Sequence, residues 1–287
     1  MRDFTLGFSP CPNDTFIFDA LVNNKIDTGN FKFNVRLEDV ETLNELAKKQ
    51  VLDFTKISYG VLPLVAQNYI VLNSGSALGR GVGPLLIAKK MIDFADVENY
   101  TIAIPGENTT AHLLFSLAFP KVKNKIFKRY DEIENAVLGS ENILGVIIHE
   151  NRFTYMKKGL HKIIDLGNYW EEKTSFPIPL GGIVGKRNID EKTLMKVDAL
   201  IKESMEYAFE NYPLITDYVK QHSQEMETDV MKKHIDLYVN KFSINLGSEG
   251  RNAIQKFMEI YKSTNEKADK FPILNSQLFL EEEPFPI

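Results

Sequence analysis

Apolar positions along this chain follow two periods, and the change from one to the other recurs. Thr5-Leu6-Gly7-Phe8 is a short apolar run closed by Pro10 and Pro12, and beyond it Ile17, Ala20 and Leu21 fall at helical spacing behind Asn13 and Asp14 as capping candidates. Phe31, Phe33, Val35 and Leu37 then alternate with polar residues, as in a half-buried strand, and Val40, Leu43, Leu46 and Ala47 return to helical spacing. A third unit begins around residues 54–59, and residues 69–72 and 84–88 have the apolar content of buried strands. The rhythm predicts an α/β fold.

The pattern restarts at Thr101-Ile102-Ala103-Ile104-Pro105-Gly106, followed by a helix carrying Leu113, Leu114, Leu117 and Ala118, which reads as a second β-α domain. Leu144-Gly145-Val146-Ile147-Ile148 is a continuous apolar run of strand length with His149 at its carboxyl end. Open parallel sheets bind ligands outside the carboxyl ends of their strands, so a polar residue there is a functional candidate. Beyond Pro177, Pro179, Gly181 and Gly182 the chain turns helical, with a stripe at Leu194, Val197, Ile201, Met205 and Ala208 that stops near Pro213. Further helices are expected over residues 226–239 and 248–261, before a tail with Pro272, Pro284 and Pro286 and little regular structure.

Composition narrows the class. The 287 residues suffice for two α/β domains, and 44% hydrophobic with 25% charged residues is the balance of a folded globular protein. A net charge of −5 without a long basic run argues against nucleic acid as a partner. No apolar stretch approaches the roughly 18 to 20 residues of a membrane-spanning helix, so no membrane partner is expected. The first residues lack the pattern of a secretory leader, and the single cysteine, Cys11, cannot form an internal disulfide. The cytoplasm is the expected location.

Three segments carry candidate chemistry. Ser9-Pro10-Cys11-Pro12-Asn13-Asp14-Thr15-Phe16 lies where a strand hands over to a helix, and it reads either as an anion site built on free backbone N–H groups or as a rigid turn with an N-cap. Gly106-Glu107-Asn108-Thr109-Thr110-Ala111 is a second such junction; a cap needs one threonine, and the adjacent pair favours an anion site. His149 can act as a general base, because a neutral imidazole accepts a proton at neutral pH, or it can be structural. Gly79-Arg80-Gly81-Val82-Gly83 lacks the spacing of a dinucleotide fingerprint and reads as a flexible crossing between lobes. The five histidines show no metal-ligand spacing, so no metal site is expected.

Read in order, Gly7-Phe8-Ser9-Pro10-Cys11-Pro12-Asn13-Asp14-Thr15-Phe16, Leu37-Glu38-Asp39-Val40-Glu41-Thr42, Thr55-Lys56-Ile57-Ser58-Tyr59, Ser76-Ala77-Leu78-Gly79-Arg80-Gly81-Val82-Gly83 and Ile147-Ile148-His149-Glu150-Asn151-Arg152-Phe153-Thr154-Tyr155 resemble the 1,4-dihydroxy-6-naphthoate synthase family of the futalosine route to menaquinone. The resemblance implies a two-lobed, type II periplasmic-binding-protein architecture with the active site in the interlobe cleft. Residues 1–92 with 178–287 would form the larger lobe and residues 93–177 the smaller. It further implies a lyase that takes a carboxylate-bearing futalosine derivative, needs no cofactor, and uses His149 as base with Lys56, Ile57, Ser58, Thr109 and Thr110 against the substrate. Asn13, Asp14, Asn44 and Tyr155 are further cleft candidates, and a homodimer stays open. The rival readings are chorismate dehydratase, a sister of the same fold and pathway, and a solute-binding protein that captures a small anion without turnover.

Overall fold

The computed structural model describes residues 2–223, 227–264 and 278–281. In chain order the strands are β1 (Arg2–Phe8), β2 (Phe31–Leu37), β3 (Phe54–Ser58), β4 (Tyr69–Val71), β5 (Ala77–Gly79), β6 (Leu85–Ala88), β7 (Thr101–Ile104), β8 (Lys125–Phe127), β9 (Ile143–Ile147), β10 (His161–Asp165) and β11 (Ile178–Lys186). They form two sheets. The first runs β2-β1-β3-β11-β4, with β5 also paired to β11, and the second runs β10-β6-β9-β7-β8. β1 is parallel to β2 and β3, and β7 to β8 and β9, whereas β11 runs antiparallel to β3, β4 and β5 and β6 runs antiparallel to β9 and β10.

The first sheet is held by its helices. Helix Pro12–Val22 is buried from Pro12 to Leu21 because it is packed between the sheet and helix Glu191–Glu210, and Phe8, Phe18, Val197, Ile201 and Met205 share one core. Between the two helices the buried Ser204 hydroxyl accepts from Leu21 N–H at 3.1 Å and donates to Ile17 C=O at 2.6 Å. Burial on both sides removes the polar face that would show helical amphipathicity. The N-cap of this helix is Cys11, with Pro12 at the first helical position, so Asn13 and Asp14 lie in the first turn instead of capping it.

Other segments differ from the expectation for identifiable reasons. The stretch of Pro177, Pro179, Gly181 and Gly182 gives no strand signal ahead of the expected helices, yet residues 178–186 are the strand β11 inside the first sheet. Pro179 sits at the register shift against β5, and Gly181, Gly182 and Gly185 blur any apolar alternation, which is what hides the strand. β2 keeps its alternation but lies at the sheet edge, where Val35 is exposed and Phe31 and Phe33 lean on Phe4. β6, which a division at residues 92/93 assigns to the first lobe, pairs in the second sheet; by sheet membership the first crossing lies at residues 80–84. Helices Thr228–Tyr238 and Gly247–Thr264 match the expected ones, while Met226 and the prolines of the tail lie outside the described residues. Among the described residues no helix is long and apolar enough to cross a membrane.

The two sheets meet where β3 ends and the segment after β7 begins. Thr110 N–H donates to Ser58 Oγ at 2.7 Å, the Ser58 hydroxyl donates to Thr110 Oγ1 at 3.0 Å, and Asn108 N–H donates to Glu41 Oε1 at 3.0 Å. The backbones are so close that a Cβ on Gly60 would stand 2.4 Å from the Thr109 carbonyl carbon and 2.7 Å from Thr110 N. Neither atom is the end of a flexible side chain, so the lobes themselves would have to separate. Gly60→Ala is expected to cost about 1–3 kcal/mol, the usual cost of overpacking, in urea unfolding; an unchanged midpoint would mean that the lobes do not touch here in solution.

Candidate active site

The turn after β1 delivers a buried carboxylate. Asp14, 1% exposed, accepts at Oδ2 from Ser9 N–H (3.2 Å) and the Ser9 hydroxyl (2.6 Å), and at Oδ1 from the Asn13 amide (2.9 Å). The Lys56 ammonium, from the middle of β3, completes the set at 3.0 Å from Asp14 Oδ1 and also donates to Gly75 C=O at 3.1 Å. A charge taken from water is tolerated only with a partner and hydrogen bonds of this kind. Cys11 lies beside this cluster; burial and the Asp14 and Glu150 carboxylates push its thiol up, so it stays protonated and donates to Asn13 Oδ1.

The ends of β3 and β7 supply the hydroxyls. Thr109 caps helix Thr110–Ala118, accepting from His112 N–H at 3.2 Å and donating to Gly106 C=O at 3.0 Å, while the Thr110 hydroxyl donates to Leu180 C=O at 2.9 Å. Both hydroxyls thus stand at the positive end of a helix. Asn44 sits behind them: its side chain accepts from Ser58 N–H at 2.9 Å and donates to Glu41 Oε2 and Asn108 C=O. Glu41 is held above its usual carboxylate range by burial, against the opposing hydrogen bonds from Asn44 and Asn108.

His149 follows β9 with φ of 56°, in the left-handed region. A non-glycine residue is strained there, and such conformations persist where the surrounding structure imposes them. Its ring meets Tyr130 edge-on with centroids 4.9 Å apart and lies 6.0 Å from the ring of His234. Desolvation lowers its pKa from 6.5 to about 4; Asp14 and Asp39 pull it upward, and Lys56 adds to the lowering. The imidazole is therefore neutral at pH 7. Burial holds the Tyr130 and Tyr238 phenols far above their usual range, so they remain protonated.

These groups share one cleft of about 670 Å³ of empty space, continuous with solvent. Asn13, Asp14, Lys56, Ile57, Ser58, Thr109, Thr110 and His149 all line it, joined by Tyr238 and by Leu180 and Gly181 of β11. Asn44 and Tyr155 are not among its lining residues. Asn44 braces the wall from behind, and Tyr155 is packed with Leu85, Ile87 and Ile147 in a small core of the second sheet. Sequence reasoning missed Tyr238 and the β11 pair, since no local pattern ties a C-terminal helix to a strand after the crossing. It also missed that Glu150 and His234 lie together behind His149, with His234 Nε2 4.0 Å from Glu150 Oε2.

A family described as menaquinone biosynthesis matches residues 4–263. A Thermus thermophilus protein named 1,4-dihydroxy-6-naphtoate synthase is 42% identical over 256 residues, which is 89% of this chain and 93% of that protein. A solved protein of Archaeoglobus fulgidus superposes with a TM-score of 0.86 at 30% identity, covering 91% of this chain and 97% of its own. A Candida albicans gene product described as having the generic periplasmic binding protein fold superposes with a TM-score of 0.65 at 10% identity, covering 99% of each chain. The fold is thus periplasmic-binding-protein-like, with two sheets and the cleft between them.

Two measurements follow from the geometry. Asp14→Ala leaves the Lys56 charge buried without its carboxylate and is expected to destabilise the chain by about 3–5 kcal/mol in denaturant unfolding, part of which Asp14→Ala/Lys56→Met recovers. Equal stability of the single variant and the wild type would contradict the burial of this pair. Unfolded, His149 gains its proton near 6.5, but folded only near 4, so its contribution makes stability fall as pH drops through that window. His149→Gln should flatten that part of the pH–stability curve; a steeper fall in the variant would reverse the sign.

Proposed function

Because the chain belongs to the menaquinone-biosynthesis family, we propose that it is a lyase that converts cyclic dehypoxanthine futalosine to 1,4-dihydroxy-6-naphthoate, with His149 as general base. The observation that carries this reading is His149 itself: a neutral imidazole at the carboxyl end of β9, lining the cleft, with its pKa lowered to about 4. The name of the Thermus relative supports the product. We place the reaction in the cytoplasm, where the lone thiol of Cys11 has no call to be oxidised.

His149 takes a proton from a substrate carbon made acidic by a neighbouring carbonyl. The released electron pair forms a new double bond as the bond to the sugar-derived fragment breaks, and the fragment leaves with that bond's electrons. The imidazolium is then the proton donor at hand, and the ring left behind gains aromatic stabilisation. The substrate carboxylate is assigned to Thr109, Thr110 and the amino end of helix Thr110–Ala118, a position that favours negative charge by about 0.3–1 kcal/mol even when exposed. It takes over the hydroxyl protons now given to Gly106 and Leu180.

The test is incubation of the purified chain with cyclic dehypoxanthine futalosine, following naphthoate by chromatography. His149→Ala should bind substrate but lose about 10²- to 10⁴-fold in kcat, and near-normal turnover in that variant would remove His149 from the role of base. Thr109→Ala/Thr110→Ala should raise KM; unchanged KM and kcat would refute the carboxylate assignment. Consumption of chorismate instead would point to the sister dehydratase, and capture of either compound without turnover to a binding protein.

A further inference from the structure

Behind the base lies a second histidine whose surroundings the reaction does not explain. His234, on helix Thr228–Tyr238, is fully buried, and neither of its ring nitrogens has a hydrogen-bond partner among the described residues. It is enclosed by the rings of His149, Phe153 and Tyr238, with centroids 6.0, 6.5 and 4.6 Å away. Its polar neighbour is the buried Glu150 carboxylate, Oε2 to Nε2 4.0 Å. One ligand atom each from His149, Glu150 and His234 lie within 4.8 Å of one another.

Buried polar groups are ordinarily satisfied, and an imidazole with two unpartnered nitrogens aimed among a carboxylate and a second imidazole is the exception that a bound ion would explain. We propose that His149, Glu150 and His234 form a site for a divalent transition-metal cation of the zinc class, and that its occupation silences the base. Two imidazoles and one carboxylate are a donor set that such ions accept, and the His149 side faces the open cleft, which provides an entry path and room for water as a fourth ligand. Ligand atoms around a tetrahedral ion at roughly 2.1 Å stand about 3.4 Å apart, so rotation of the histidine and glutamate side chains has to draw the three together. Both imidazoles are lowered from 6.5 by burial, which leaves their lone pairs available at neutral pH. The metal then occupies the lone pair that proton abstraction requires. This consequence rests on the proposed function; the site itself does not.

The test uses the full chain after treatment with a chelator. Calorimetric titration with Zn²⁺ should show one ion per chain, weakened more than about 100-fold in both His234→Ala and Glu150→Gln, since loss of a direct ligand exceeds the usual effect of losing an outer partner. His161→Ala, on an exposed strand end, should leave it unchanged. If His234→Ala does not fold, Co²⁺ loaded into the wild type decides, and the intense visible absorption of a four-coordinate site is expected. No binding at submillimolar Zn²⁺, binding that survives both substitutions, or a Co²⁺ spectrum like that of the free ion would overturn the site. Naphthoate formation should fall in step with Zn²⁺ occupancy and return with EDTA; full turnover by the loaded chain would overturn the silencing. A metal-free chain that leaves cyclic dehypoxanthine futalosine untouched sinks the proposed function, while the calorimetric result still decides the metal site.

Discussion

The lobes touch backbone to backbone where Gly60 meets Thr109 and Thr110, and the site's chemistry depends on that approach. It brings the Ser58 hydroxyl into reach of the first amide of helix Thr110–Ala118, and it carries the segment after β7 against Glu41, Asn44 and Glu45 of helix Val40–Lys48. With the lobes in contact, the residues after β1, β3, β7 and β9 face one shared space instead of two open sheet edges. Burial in that space is what lowers the pKa of His149, since desolvation is the largest influence on it. His149 is thus neutral through desolvation, although the Asp14 and Asp39 carboxylates pull its pKa the other way.

Electrostatics and backbone strain are concentrated on the same small volume. The Asp14–Lys56 pair is buried and held by Ser9, Asn13 and Gly75, so its geometry is fixed before any ligand arrives. His149 adopts a left-handed backbone conformation two residues beyond the end of β9, a strand paired with both β6 and β7, and a strained residue at this place costs on the order of 1–3 kcal/mol that the surrounding packing must offset. Tyr130 against one side of its ring and His234 further off limit the orientations the imidazole can take. Such preorganisation is what the proposed base gains from its place beyond the end of a sheet strand.

The β-α rhythm and the position of His149 were legible in the chain because both rest on local patterns: apolar runs for β7 and β9, and helical stripes at Leu43 and Ala47 or at Leu194, Val197 and Ile201. β11 was not, because Pro179 and three glycines erase its period although it is central to the first sheet. Asn13 and Asp14 looked like caps, since capping residues before an apolar stripe are the usual signal; Pro12 had already opened the helix, which freed Asp14 for Lys56. Asn44 and Tyr155 are polar residues in the right segments, but the side of a helix on which a residue falls is decided by packing that no local pattern encodes. The same limit hid His234, which reaches His149 only through the return of the C-terminal helices to the cleft.

The proposed chemistry needs a histidine kept neutral by enclosure in the cleft. Its most direct test is a pH titration of the His149 imidazole by nitrogen-15 NMR on the intact chain, assigned by comparison with His149→Gln. A midpoint near 4 is the predicted result. A midpoint at the ordinary value of 6.5 would contradict it, for it would mean that the ring is solvated and the lobes do not enclose it as described.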